Sequence, residues 1–545
     1  MAKTLTASEA VAQIPDGATV AMSGVALCGF AVEVANAIED AFMAAGHPRD
    51  LTLVHAAGIG NFDKEGMSHL GHEGLVAKWI GGHTGAAPGM AHLIEGNHCQ
   101  AYCVPQGVMA QLYREIAARR PGVITHVGID TFVDPRLGGG RMNEATTEDY
   151  VKIIEIEGRE YLFYPSFPID VAVIRGTIAD ELGNLTMDDE AVLLDQLPLA
   201  QAARNSGGIV IAQVRRLARA HSLHPKHVRV PAPLVDVVVV ASSDELHPQT
   251  AVGFKPGLSG DLKVPLSVEP LPMGARAVVV RRAAMELVPG AVVNLGTGYP
   301  DAMGGVAAEE GVSDLLTLTT EVGTVGGMPG AHLLFGTAFN PDAFVEEAAM
   351  FDWYDGGALD LAFLGLAQTD QHGNVNVSRF SGRDVGPGGF INITQSTKTV
   401  VYCGSFTADG LEVSTGDGRL SVLKEGKYKK FLRSVQQITF SGAEAVRRGQ
   451  RIMYVTERAV FELRDGQMTL IEIAPGVDLE RDVLAQMEFA PAVAQTLELM
   501  PDHIFYEKWG KLRSIMTAKH QQRHAVSPTR RTRSESHVAA VTAGV

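Results

Sequence analysis

The sequence predicts an α/β protein made of two related halves, each an open, mainly parallel sheet covered by helices. Three observations carry the prediction. Short apolar, strand-like runs alternate with helix-like stretches along the chain, the pattern of repeated βαβ units. A glycine-rich turn follows the first strand of each half. Matching segments then recur in the same order in both halves.

Taken in order, Pro15-Asp-Gly-Ala-Thr-Val20 leads into a first strand, and Ser23-Gly24-Val-Ala-Leu-Cys28-Gly29 turns the chain into an apolar helix. Leu51-Thr-Leu-Val-His-Ala56-Ala-Gly58 reads as a second strand ending in small residues. Asp170-Val-Ala-Val-Ile174 is a third, followed by the turn Asp180-Glu-Leu-Gly183-Asn184, and Val235–Val240 is a further strand. A stretch rich in Pro, Gly and Lys, assigned to residues 251–280 and least periodic up to Met273, reads as a linker. Arg276–Val280 is nevertheless apolar enough to read as a strand. The pattern then restarts with Pro289-Gly-Ala-Val-Val293 and Leu295-Gly296-Thr297-Gly298. Leu316-Thr-Leu-Thr-Thr-Glu321-Val-Gly323 echoes the second strand, so Glu321 stands where the first half has Ala56. Asp360-Leu-Ala-Phe-Leu364 with Asp370-Gln-His-Gly373-Asn374 echoes the third. Thr399–Tyr402 is a strand within the second half. The predicted domains are therefore 1–250 and 281–515. From about Met516 to 545 the chain turns to His, Arg, Ser and Thr without an apolar face, and is expected to be disordered.

At 545 residues, 46% hydrophobic and 20% charged, the chain is long enough for two or more domains. Its formal charge of -16 argues against general nucleic-acid or anionic-membrane binding and leaves room for a small anionic ligand in a local groove. Four scattered cysteines, Cys28, Cys99, Cys103 and Cys403, suit a reducing compartment. With no apolar signal core and no uncharged run of membrane-spanning length, a cytoplasmic location is expected.

The residue with most chemical content is Glu321. Thr317 to Thr320 have strand character, and Gly323, Gly326, Gly327 and Pro329 forbid the strand's continuation, so Glu321 falls at a strand's C-terminal edge. Uncharged residues flank it for many positions. An ionised carboxylate needs no general base, and partial desolvation would sharpen it as a nucleophile toward a thioester. The competing reading is an ordinary loop carboxylate or ion pair. Gly386-Pro-Gly388-Gly389-Phe390, ahead of a strand-like Ile391-Asn-Ile393, could present backbone N–H groups to a developing oxyanion, or form a plain tight turn. His69-x-x-His72, His83, His92 and His98-Cys99-x-x-x-Cys103 match no standard zinc spacing, and no metal is expected. Gly24-x-x-x-x-Gly29 lacks the remaining marks of a nucleotide loop.

Together with Tyr161-Leu-Phe-Tyr-Pro-Ser-Phe-Pro168, Asn205-Ser-Gly-Gly-Ile-Val-Ile-Ala-Gln-Val214, His372-Gly-Asn-Val-Asn-Val377 and Tyr454-Val-Thr-Glu-Arg-Ala-Val-Phe461, these motifs resemble family I CoA-transferases. The resemblance spans roughly residues 1–510 and is nearest the propionate or acetate branch with both halves fused in one chain. It implies two NagB-like α/β domains, with Glu321 attacking an acyl-CoA to give an acyl-glutamyl anhydride. The released thiolate then forms a glutamyl-CoA thioester, which a second carboxylate reverses in ping-pong fashion. Coenzyme A is then a co-substrate, no cofactor is bound tightly, and the partners are short-chain acyl-CoA and carboxylates. A homo-oligomer such as a tetramer is implied.

The resemblance also places Gly388 and Gly389 at the oxyanion. Gln106 faces the reacting carbonyl, or is simply a turn residue after Pro105. Gly296, Gly298, Asn374, Gly386 and Phe390 lie toward CoA, or serve fold-maintaining turns. Departures from the family pattern at Leu137–Val151 bear on the acyl pocket. Two further readings stand beside the transferase: an acyl-CoA hydrolase on the same scaffold, and a non-catalytic or isomerase-like protein that binds a phosphorylated ligand.

Overall fold

A computed structural model describes residues 2–380 and 382–526. Its first half is an eight-stranded sheet, parallel at every pairing. The strands and principal helices are β1 (Lys3–Leu5), β2 (Thr19–Met22), α1 (Val32–Ala45), β3 (Leu51–His55), β4 (Val76–Gly81), β5 (Gln100–Cys103), α2 (Gln106–Ala117), β6 (Val171–Asp180), α3 (Gln196–Ser206), β7 (Ile209–Ala218) and β8 (Val237–Val240). Spatially they run β1-β8-β7-β6-β2-β3-β4-β5. Being covered by helices, the central strands read as unbroken apolar runs, and Val20, Val171 and Val210–Ala212 are all completely buried.

The second half contains α4 (Ala275–Ala284), β9 (Val292–Leu295), β10 (Thr317–Thr319), β11 (Thr324–Val325), β12 (Ala343–Phe344), α5 (Glu347–Asp355), β13 (Leu361–Gly365), α6 (Phe390–Ser396), β14 (Thr399–Cys403), β15 (Arg451–Val455), β16 (Ala459–Arg464), β17 (Gln467–Ile473) and β18 (Ala492–Leu499). Its ten strands run β12-β11-β10-β9-β13-β14-β15-β16-β17-β18. The parallel centre β10-β9-β13-β14-β15 has the order of β3-β2-β6-β7-β8 in the first half.

The repeat extends to individual hydrogen bonds. Thr19 N–H donates to Asp170 Oδ2 at 2.8 Å, and Val292 N–H to Asp360 Oδ2 at 3.0 Å. Asp180 Oδ1 accepts from the Asn184 N–H at 2.9 Å, and Asp370 Oδ1 from the Asn374 N–H at 3.1 Å. Pairing in the sheet sets Thr19 opposite Thr52 and Val292 opposite Thr317, which makes Ala56 the positional equivalent of Glu321.

Two expected strands are helices. Arg276–Val280 lies in α4, and Ile391–Ile393 lies in α6. A run of three to five apolar residues fits a buried helix as well as a strand. In α4 the helix is fixed from outside its apolar stretch: Arg281 Nη1 donates to the Tyr506 carbonyl at 2.6 Å, and Arg282 Nε to Glu472 Oε2 at 2.7 Å. The expected linker therefore ends in a helix. Its earlier part is tied to the second half, with Val264 N–H donating to Asn340 Oδ1 and Asn340 Nδ2 to the Val264 carbonyl, both at 2.8 Å. Helix α7 (Leu512–Val526) carries the chain past 516, with Met516 fully buried, so the expected disordered tail begins as helix; 527–545 lie outside the described residues. No helix among the described residues is long and apolar enough to cross a membrane.

α2 joins the halves. A Cβ on Gly107 would lie 2.4 Å from Phe351 Cγ, so only glycine lets α2 approach α5 this closely. The Gly107 N–H donates to Asn392 Oδ1 of α6 at 3.1 Å, and Arg114 Nη2 pairs with Asp352 Oδ2 at 2.6 Å.

One buried ion pair tests how the first half holds its sheet. Arg175 of β6 donates through Nε to Glu190 Oε1 at 3.1 Å with both side chains about 1% exposed, and through Nη1 to the Phe30 carbonyl at 3.1 Å. Removing one member of such a pair strands the other charge and typically costs ~3–5 kcal/mol. Glu190→Ala is expected to lower the thermal unfolding midpoint markedly in differential scanning calorimetry. An unchanged midpoint would show the pair to be energetically neutral.

Candidate functional site

Strand β10 ends at Thr319, and the chain reverses at once into antiparallel β11 through Thr320–Gly323. Thr320 N–H donates to the Thr324 carbonyl at 3.0 Å, and Thr320 Oγ1 reaches Gly336 O at 2.9 Å. Gly323 has φ +110°, and a Cβ there would lie 2.0 Å from the Val345 carbonyl oxygen, so the turn requires glycine. Glu321 occupies this turn, 5% exposed. Its neighbour Val322 inserts into a cluster of first-half residues, Val25, Cys28, Ala57, Val192 and Leu194, which fixes the turn across the interface.

Glu321 lines a cavity of about 520 Å³ between the halves. Gln106, Gly296, Gly298, Gly386, Gly388, Gly389 and Phe390 line the same cavity, so the fold gathers all but one of the residues that the resemblance assigns to catalysis or CoA. The exception is Asn374. Its side chain is spent on Asp370 Oδ2 and on the Gly442 N–H, at 3.0 Å each, as part of the repeated turn. The segment Leu137–Val151 contributes nothing to the cavity wall; Gly140 instead accepts from Cys103 N–H at 2.7 Å.

The glycine loop lies against the carboxylate: a Cβ on Gly389 would come within 3.3 Å of Glu321 Cγ. The expected pair of free amides is reduced by one. Gly388 N–H donates to the Gly82 carbonyl at 2.9 Å, whereas the Gly389 N–H has no partner among the described residues. Gly296 serves packing as well, since its N–H donates to Phe363 O at 2.8 Å and a Cβ would meet Leu364 Cδ2 at 2.8 Å. Phe390 stacks on Tyr402 with ring centroids 5.9 Å apart.

Burial pushes the Glu321 carboxyl up to about 6, against the holding effect of its own backbone N–H and of Asn294. Asn294 is buried on adjacent β9, its Oδ1 without a partner among the described residues. Sequence reading passed over Asn294, although the repeat held the signal: its first-half equivalent is Ala21, just as that of Glu321 is Ala56. Behind the cleft, Gln106 Nε2 donates to Glu347 Oε1 at 2.6 Å. Glu347 and Asp195 are both buried, and desolvation together with repulsion from Asp195 pushes Glu347 well up.

The histidines and cysteines considered for a metal are dispersed. His69 and His72 both bond to Glu39, at 2.5 and 2.6 Å. All four cysteines are buried and free, with burial pushing the Cys28 and Cys99 thiols up to about 12.

Comparison with known proteins agrees with this geometry. A family model described as coenzyme A transferase matches residues 4–241. The chain is 51% identical over 523 residues to a caffeate CoA-transferase of Acetobacterium woodii, covering 95% of this chain and 100% of the relative. It is 43% identical over 506 residues to acetate CoA-transferase YdiF of Escherichia coli K12, covering 92% and 95%. Among solved structures, the acyl-CoA transferase YdiF apoenzyme from Escherichia coli O157:H7 superposes with a TM-score of 0.88 at 41% identity, covering 93% of this chain and 97% of that one. The thioester complex of the same enzyme with CoA gives 0.87.

The raised Glu321 carboxyl has a thermodynamic signature. A group whose folded value of about 6 exceeds its reference of 4.5 favours folding below pH 4.5 and loses that contribution as pH rises through 6. Glu321→Gln should therefore be more stable than wild type at pH 8 by roughly 2 kcal/mol, with the advantage gone below pH 4.5. Chemical denaturation at the two pH values checks it.

Proposed function

The chain belongs to the family I CoA-transferases, and from that premise we propose that it moves CoA between an acyl-CoA and a carboxylate through Glu321. The observation that carries the reading is a buried carboxylate, held on a turn at the wall of a partly enclosed cleft, directly against a glycine loop from the same half. In this reading one Glu321 oxygen attacks the thioester carbonyl, and collapse of the adduct expels CoA thiolate and leaves an acyl-glutamyl anhydride. The thiolate attacks the glutamyl carbonyl, the acyl carboxylate leaves, and a glutamyl-CoA thioester remains for a second carboxylate to reverse.

The turn geometry favours this chemistry. Anchoring by Val322 and the Thr320–Thr324 bonds prevents the carboxylate from swinging away, and desolvation raises its nucleophilicity once ionised. Gly296, Gly298, Gly386 and Phe390 are offered to the CoA arm by their place on the cleft wall. Caffeate and acetate, the carboxylates in the names of two relatives, set the range of acceptors to try first.

Two measurements test the reading. Incubation with acyl-CoA followed by borohydride or hydroxylamine should leave a modification at Glu321 by mass spectrometry, and Glu321→Ala should lose exchange activity; wild-type exchange in that variant would sink the proposal. Because the carboxyl must be ionised to attack, the rate of adduct formation should fall as pH drops through about 6.

A further inference from the structure

Electrostatic stabilisation of the oxyanion in such a reaction needs hydrogen-bond donors fixed in advance, and the backbone supplies fewer than the glycine loop promises. Gly388 N–H is bonded to the Gly82 carbonyl, and Phe390 N–H donates to Pro387 O at 3.1 Å. Of the side-chain donors lining the cleft, Thr297 and His332 are exposed at its rim. Gln106 gives one of its two Nε2 protons to Glu347 Oε1. Asn294 Nδ2 faces Thr319 O and Tyr354 Oη, each at 3.4 Å. His83 is left with its donor unspent.

His83 lines the cleft on the segment after β4 and is clasped against the glycine loop by its two neighbours. Gly82 O accepts from Gly388 N–H at 2.9 Å, and Thr84 N–H donates to Val385 O at 2.8 Å. Its tautomer follows from one contact. Gly85 N–H, which can only donate, points at His83 Nδ1 at 3.1 Å, so Nδ1 accepts and the neutral ring carries its proton on Nε2. The ring's one hydrogen bond among the described residues is at Nδ1, leaving Nε2 without a partner there. Desolvation of the half-buried ring lowers the imidazole to about 4, which favours its neutral form. The ring is wedged tightly: a Cβ on Gly58 would lie 2.7 Å from Nδ1, and one on Gly85 2.6 Å from Cε1. Behind it, His55 Nδ1–H donates to Ala57 O at 2.7 Å while its Nε2 accepts from Trp79 Nε1 at 2.8 Å, which braces the Ala57–Gly58 wall.

We propose that His83 donates its Nε2–H to the oxygen that becomes negative when Glu321 attacks the thioester, acting beside the Gly389 N–H. The proposal rests on Glu321 being the nucleophile. In the step, a Glu321 oxygen lone pair forms the new C–O bond and the carbonyl π pair moves onto oxygen. Collapse restores the carbonyl and breaks the C–S bond, whose electron pair leaves with the CoA thiolate. His83 keeps its proton throughout and acts as a hydrogen-bond donor, not as an acid.

Rapid-quench mass spectrometry of the Glu321 adduct, using the full chain with acetyl-CoA, distinguishes the possibilities. His83→Leu, which fills a similar space without a donor, should form the adduct ~10²–10³-fold more slowly with KM little changed. His83→Gln, which returns an N–H at similar reach, should recover at least tenfold of that loss. Calorimetric melts of both variants establish that they fold, and His83→Ala, also without a donor, replaces His83→Leu if it does not. A normal wild-type adduct with His83→Leu rates within threefold of wild type, or with His83→Gln as slow as His83→Leu, overturns the assignment of His83 alone. Absence of any adduct in the wild-type chain overturns the nucleophile reading and this assignment with it.

Discussion

Both sides of the Gly388 residue are bonded to the opposite half of the molecule: its N–H to Gly82 O at 2.9 Å, and its carbonyl to the Gln106 N–H at 3.1 Å. The position of the glycine loop relative to Glu321 depends on these two bonds, because the loop belongs to the second half while its restraints come from the first. Backbone bonds in a partly enclosed cleft are costly to leave unmade, so any sliding of one half against the other would strand buried polar groups. The α2 contacts with α5 and α6 act in the same direction, with Gly107 allowing the close approach and Asn392 accepting its N–H. A cleft built this way is set before substrate arrives, which is what preorganised electrostatics demands.

The carboxylates around the cleft show what such an arrangement costs. Glu321, Glu347 and Asp195 are all nearly free of solvent, and burial works against ionisation of each. Desolvation disfavours the charged forms of Glu347 and Asp195, and Glu347 is partly compensated by accepting from Gln106. Glu321 has only Asn294 and its own turn to hold its charge. Glu321, raised only to about 6 where Asp195 goes to about 7 and Glu347 well up, is the one of the three that faces the cleft, where an ionisable carboxylate is required.

Much of the fold was legible because the two halves are copies. The aspartates at 170 and 360 announce equivalent strand starts, and those at 180 and 370 equivalent turns, and the structure gives each pair the same hydrogen bonds. Of the two readings open for Asn374, a CoA contact or a fold-maintaining turn, its hydrogen bonds match the turn that Asn184 makes in the other half. Arg276–Val280 and Ile391–Ile393 were misread as strands because short apolar runs carry no period. Only distant partners, Tyr506 and Glu472 for α4, decide the helix.

The sequence by itself determined the paired α/β halves, the placement of Glu321 at a strand end and the glycines beside it, because hydrophobic period and turn chemistry are local properties of the chain. The tertiary structure alone decided which donors remain free. Whether Gly388 or Gly389 keeps an open N–H depends on Gly82, some three hundred residues away in sequence, and the tautomer of His83 depends on how its loop closes on Gly85. Hydrogen bonds saturate: a donor already bonded cannot serve a substrate equally well. Availability therefore belongs to the folded arrangement and not to the residue type.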